Sequence, residues 1–196
     1  MKPLDRAKEF CQNYGLEIPI LMAPMAGACP AELAAAISNA GGIGSCGAVL
    51  MTPEKISSWV SDFKSKSNGS FMLNNWIPDP EPARNAQHEA ALRLFLTKFG
   101  PEVSAEAADL TPISFSNQCD AMLSTRPQVI SSIMGLYPSE FVKQMKQDGI
   151  KWFATVTSVS EALIAEQAGA DALVVQGSEA GGHRGNFLSG YDQSAG

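Results

Sequence analysis

The stretch VVQGSEAGGHRG, residues 174–185, sets a histidine, an arginine and an acid among four glycines directly after an apolar run. Glycines at 177, 181, 182 and 185 let backbone N–H groups face a ligand, an anion included, with no Cβ in the way. Histidine titrates near neutrality, so His183 suits a general base or a donor to developing negative charge. Arg184 can hold an anionic group or pair with Glu179. Any glycine-rich turn from strand to helix shares this composition; a histidine inside the turn, just after a strand, is what raises this one. Metal chemistry fits poorly, because the only other histidine, His88, lies in NAQHEAALRLF and reads as a solvated residue on an amphipathic helix. Cys11, Cys29, Cys46 and Cys119 are scattered without a CxxC pair, which matches neither a zinc site nor a disulfide framework. They read as reduced, buried small residues.

The elements that must position this loop are legible as short apolar runs: 19–27, 41–49, 70–77, 128–135, 151–157 and 171–177. None alternates, which predicts strands buried on both faces, as in a parallel sheet. Helical patterns separate most of them. Thr52 and Pro53 read as N-cap and first residue of a helix carrying Ile56, Trp59, Val60 and Phe63. Pro138 opens a helix with Phe141, Val142 and Met145 on one face and Gly149 closing it. Ser158 and Glu161 have the spacing of a capping box, with Gly169 ending that helix. The segment 78–127 is too long for one tight crossover and predicts a helical insertion. Repeated βα units predict a single α/β domain over residues 1–196, doubly wound or a (β/α)₈ barrel.

Both architectures bind ligands at the carboxyl ends of their strands. The candidate positions are therefore Ala23 to Ala26, Cys46 and Gly47, Asn74 and Asn75, Met134 and Gly135, Thr155 to Thr157, and Gln176 to Gly185. Small residues and neutral amides at those places suit a flat heteroaromatic ring. Trp76 is the one aromatic expected near a ligand; Trp59 and Trp152 read as packing, and Met22, Met25 and Met134 as core. GGIGSCG contains G-x-G-x-x-G at Gly42, Gly44 and Gly47, but these glycines enter a strand instead of following one, so the dinucleotide reading is rejected. The net charge of −6, with no basic run, argues against nucleic acid or an anionic membrane as a partner. MKPLDRAKEF lacks the apolar segment of a signal peptide, and a cytoplasmic location is expected.

PILMAPMAG, AGGIGSCG, LNNWIPDP and ADALVVQGSEAGGHRG together make the chain resemble the nitronate monooxygenase (2-nitropropane dioxygenase) family over nearly its whole length. The resemblance implies an FMN-dependent (β/α)₈ TIM barrel that oxidises alkyl nitronates with O₂, the nitronate giving an electron to the flavin. It places Ala23, Pro24 and Met25 under the flavin, with Asn74 and Gln176 hydrogen-bonding to it. Gly177, Gly181 and Gly182 approach it through backbone, and His183 is the catalytic histidine. A homo-oligomer is a further possibility. The resemblance also implies two more βα units, whose loops hold the FMN phosphate. The chain ends at NFLSGYDQSAG before either, so about six of eight units are expected, in a truncated product or one needing a second polypeptide. The alternatives are an FMN-dependent enoyl-acyl-carrier-protein reductase, which carries a similar glycine–histidine loop, and a non-catalytic remnant.

Overall fold

The computed structural model describes residues 3–80, 83–109 and 112–188. Five strands form one sheet: β1 (Gly44–Gly47), β2 (Phe71–Trp76), β3 (Val129–Ile133), β4 (Lys151–Val156) and β5 (Ala172–Val175). Every neighbouring pair is parallel, and the spatial order is the chain order. A doubly wound sheet reverses its strand order at a switch point. This one never reverses, so of the two expected architectures it is an arc of a barrel.

The first expected strand, 19–27, is reduced to a parallel bridge between Leu21 and Ile43. Ile43 N donates to Ile20 O and Met22 N to Ile43 O. Pro19 and Pro24 bracket this contact and lack the N–H groups a longer ladder requires. The expectation of burial on both faces holds for β1 to β4 and fails for β5, where Leu173, Val174 and Val175 are exposed. Among the described residues β5 pairs with β4 alone, so one of its edges and parts of both faces meet solvent.

The crossover helices form where the sequence signals them. In α3 (Pro53–Lys66), Thr52 Oγ1 accepts from Lys55 N, and Ile56, Val60 and Phe63 are buried. In α6 (Ser139–Gln147), Phe141, Val142 and Met145 are buried and Gly149 takes φ +71° beyond the end. Ser158 Oγ caps α7 (Val159–Gln167) by accepting from Glu161 N. With α2 (Ala31–Asn39) and α5 (Phe115–Thr125), these helices share one core with the outward side chains Cys46, Leu73, Ile130, Trp152, Ala154 and Val156. The inward side chains Ile43, Met72, Val129 and Phe153 form a second core with Cys11 and Tyr14 of α1 (Pro3–Tyr14), a helix the sequence reading did not anticipate. Tyr14 packs edge-on to Phe153 at 4.8 Å and donates to Asp171 O, which fixes α1 beneath the amino ends of β4 and β5.

Residues 79–113 cluster as a compact unit of their own, whereas α5 belongs with the main body. The unit holds α4 (Ala86–Leu96), capped by Asn85, and a 3₁₀ turn at Ala105–Ala108. Arg84 ties them by pairing with Glu89 and Asp109. His88 is exposed on α4, as its amphipathic context predicts. Among the described residues no helix is long and apolar enough to cross a membrane.

The glycines of GGIGSCG have a packing cause. A Cβ on Gly44 would lie 2.7 Å from the Ala34 carbonyl carbon and 2.8 Å from Ser38 Oγ, so α2 can sit on β1 only where a side chain is missing. Gly44→Ala is expected to lower stability by about 2 kcal/mol through overpacking, read as an earlier midpoint in urea unfolding. Gly100→Ala, where a Cβ meets open space, is expected to shift it by less than about 0.5 kcal/mol.

Candidate functional site

Side chains alternate along a strand, so each inward position in the apolar core has a successor two residues nearer the carboxyl end. Ile43 is followed by Ser45, Met72 by Asn74, Val129 by Ser131 and Phe153 by Thr155. All four successors are buried and all are neutral and polar. The interior of the arc thus changes from apolar to hydrogen-bonding toward the ends where ligands bind. Asn74 Nδ2 donates to Ser131 Oγ at 2.9 Å, whereas the fully buried Ser45 Oγ has no partner among the described residues.

The segment 23–26, whose first three residues the resemblance puts under the flavin, meets the end of β1 by close backbone approach. A Cβ on Gly47 would come 2.9 Å from Ala26 N, so the segment carrying Ala23, Pro24 and Met25 rests on the end of β1. Gly47 is in register with Asn74. The Cys29 thiol closes that segment by accepting from Met25 N at 3.0 Å and reaching Ala23 O, and Trp59 Nε1 donates to Cys29 O at 2.7 Å. Met25 is 41 % exposed, which corrects its reading as core and leaves it facing the rim. Met22 is core as expected, and Met134 takes a left-handed φ of +65° at the end of β3, a conformation uncommon outside glycine.

From the end of β5 the glycine loop crosses back over the sheet. Gln176 Nε2 donates to His183 O at 2.8 Å, and Gln176 Oε1 accepts from Gly185 N at 2.7 Å. A Cβ on Gly185 would lie 2.7 Å from Ile133 Cγ1 and 3.3 Å from Thr155 Cγ2, so the loop sits directly on the ends of β3 and β4. The His183 ring reaches the end of β2 and meets Trp76 edge-on at 4.8 Å. Gly182 supports the turn with φ +81°, and Gly181, Gly182 and His183 are exposed. Among the described residues Arg184 forms no ion pair with Glu179, one of the two roles considered for it.

The loop's far end is fixed by Glu161, which is 1 % exposed. Its Oε1 accepts from Phe187 N and Leu188 N; its Oε2 accepts from Thr157 N and Thr157 Oγ1. The capping box is therefore only half as expected: Ser158 caps α7, but the Glu161 carboxylate reaches Thr157 in place of Ser158 N because it also holds the loop. Burial pushes the Glu161 carboxyl up, and the hydrogen bonds from Phe187, Thr157 and Leu188 outweigh that and leave it below its ordinary value. The cysteines are free and buried, as expected; burial, then the neighbouring Cys29, raises the Cys46 thiol to about 12, so it is no nucleophile at neutral pH. Among the described residues no cluster of three or more His, Cys, Asp or Glu side chains could hold a metal.

This arrangement has known counterparts. The family model for nitronate monooxygenase matches residues 9–195. Two proteins described as probable nitronate monooxygenases are similar: one from Staphylococcus aureus, 31 % identical over 93 % of this chain, and one from Staphylococcus haemolyticus, 33 % identical over 94 %. Among solved structures, the nitroalkane oxidase of Streptomyces ansochromogenes superposes with a TM-score of 0.75 at 28 % identity, covering 88 % of this chain and 50 % of that one. FabK of Thermotoga maritima gives 0.67 at 27 % identity, covering 91 % and 46 %. The chain belongs to the nitronate monooxygenase family, on a fold of TIM-barrel type that is incomplete in this chain. It spans about half the length, 52 %, of the Staphylococcus relatives.

Glu161→Leu keeps most of the bulk and removes both acceptor oxygens. It is expected to abolish hydrogen-exchange protection of Phe187 and Leu188 while the amides of β3 keep theirs. Because the folded carboxyl lies below the ordinary glutamate value, its stabilisation is complete above that ordinary range and lost as pH falls through the lowered value. The same two amides are expected to lose protection on acidification only below the ordinary glutamate range.

Proposed function

We propose that the chain forms the flavin-ring half of an FMN-dependent oxidoreductase that oxidises alkyl nitronates with O₂. The observation that carries the reading is the placement of the His183 imidazole, exposed and braced by Trp76, over the polar layer at the carboxyl ends of the strands. That layer fits a flavin ring by its chemistry. Asn74, Ser131 and Thr155 are neutral hydrogen-bonding groups, the Ser45 hydroxyl is buried and unpartnered among the described residues, and Gly47 lets the backbone of the 23–26 segment come close against the end of β1.

When bound, FMN supplies the electron transfer. The chain's own residues bind and orient. Ala23, Pro24 and Met25 form the wall beside β1, and Asn74 offers its carboxamide from the floor. Gly177, Gly181 and Gly182 permit backbone approach, and Gln176 holds the loop through both ends of its amide. His183 takes the proton from the carbon of a neutral nitroalkane and orients the nitronate through its ring N–H. The partners are thus a small nitronate and O₂. The phosphate of FMN falls to the further βα units that the resemblance implies, and the relatives' doubled length has room for them. Residues 189–196, where the resemblance stops short of those units, lie outside the described residues.

The family model and the higher TM-score of the nitroalkane oxidase favour this over the reductase reading. Adding FMN to the purified chain together with a polypeptide that carries the further βα units is expected to give a yellow, flavin-bound protein that consumes O₂ with nitronate. His183→Asn is expected to keep the flavin and slow turnover of neutral nitroalkanes by about 100-fold or more. Rapid flavin reduction by NADH without nitronate turnover would move the assignment to the reductase, and a chain that takes up no flavin is not an enzyme by itself.

A further inference from the structure

Behind the rim, the layer between sheet and helices holds a polar pair where apolar packing is the rule. Asn75 and Gln118 are both buried, Asn75 completely. Asn75 points away from the inward-facing Asn74, toward α5, and its Nδ2 donates to Gln118 Oε1 at 2.9 Å. Gln118 Nε2 reaches Met51 O at 2.8 Å, Ala48 O at 3.0 Å and Val49 O at 3.3 Å, all in the connection that follows β1. Asn75 Oδ1 accepts from Trp76 N at 3.0 Å. One carboxamide on α5 therefore ties the carboxyl ends of β1 and β2 together, and its second link sets the backbone at the residue whose ring meets His183.

We infer that Gln118 is a positioning residue for the site: through Asn75 it fixes Trp76, and through Trp76 it fixes the His183 imidazole. A buried amide pair costs stability unless every donor and acceptor is matched. Here both are matched, and the matched partners are backbone groups of the rim. An apolar pair of the same volume would fill the space equally well, but would take away the hydrogen bonds that the Val49 and Met51 carbonyls accept from it and that Trp76 N donates to it, leaving Ala48 O only the one from Met51 N. The pair thus specifies a geometry at the rim in addition to filling the core. Gln118 touches neither substrate nor cofactor, and it acts at more than one remove from His183.

The inference rests on His183 being the reactive side chain of the proposed function, but its test needs no flavin and no turnover. The chain has two histidines, and exposed His88 on α4 is a built-in reference. In ¹H–¹³C spectra of the full chain, the Trp76 ring current displaces the His183 imidazole protons, and Trp76→Phe removes most of that displacement. Gln118→Met, which keeps length and volume, is expected to remove most of it too, with His88 and the indole N–H signals of Trp59 and Trp152 unmoved. Asn75→Leu, which removes both the donor to Gln118 and the acceptor for Trp76 N at similar volume and adds no charge, is expected to do the same, and serves where Gln118→Met fails to fold. His183 signals unchanged in a folded Gln118→Met or Asn75→Leu protein, while Trp76→Phe moves them, would overturn the inference. Movement of the Trp59 and Trp152 signals alongside His183 would overturn it as well, since that marks general loosening of the core.

Discussion

One buried carboxylate holds the rim in place. A chain leaving β5 with GSEAGGHRG has little of its own to keep it ordered, since glycine has the most backbone freedom to lose. Glu161 offsets that cost from the far end by accepting four hydrogen bonds, two from the loop after Gly185 and two from Thr157 at the end of β4. The same residue lies in the first turn of α7, which packs behind β4 and β5. Strand end, helix start and loop end are therefore one unit, and the path of the loop across β3 and β2 follows from its two fixed ends, Gln176 and Glu161.

Beneath the loop, the sheet supplies a graded interior. A parallel sheet needs apolar side chains on both faces to exclude water, and β1 to β4 supply them at their amino ends, with α1 filling the space below. Two residues further on, the inward positions become Ser45, Asn74, Ser131 and Thr155. Burying four such groups is tolerable only where they pair with one another or with a ligand. Asn74 and Ser131 pair, while Ser45 does not. The proposed function gives the polar layer a use as a binding surface, since it adds nothing to the core that apolar side chains would not supply better.

Much of this is written in the sequence in local terms. The caps Thr52 and Ser158, the apolar face of α6 and the glycines flanking His183 each follow from spacing alone, and the rejection of the dinucleotide reading of GGIGSCG follows from order. Trp76 was marked by its place at a strand end. What was not legible is what depends on partners distant in the chain. Gln118 sits within an apparently ordinary helical segment, and its bonds run to residues 43 and about 70 positions away. Its one signal was a polar residue beside Cys119, Ala121 and Met122 on a face that had to be buried. Glu161 matched a cap by spacing, but its second set of partners lies 26 and 27 residues on. The first strand failed because the apolar run was counted without the two prolines that limit its ladder.

Gln176 shows how the scaffold constrains the chemistry. The resemblance gives its carboxamide to the flavin, and in the structure both ends of that carboxamide are engaged by the loop itself. An amide has one further N–H and one further lone pair, so a ring can still be met, but only along the direction the loop bonds leave free. On the proposed function, the loop's conformation and the ring's orientation would then be set by the same side chain. That coupling leaves the His183 ring, held by Trp76 on one side and by its own carbonyl through Gln176 on the other, as the side chain at this rim whose position is fixed from two strands while it remains exposed to solvent.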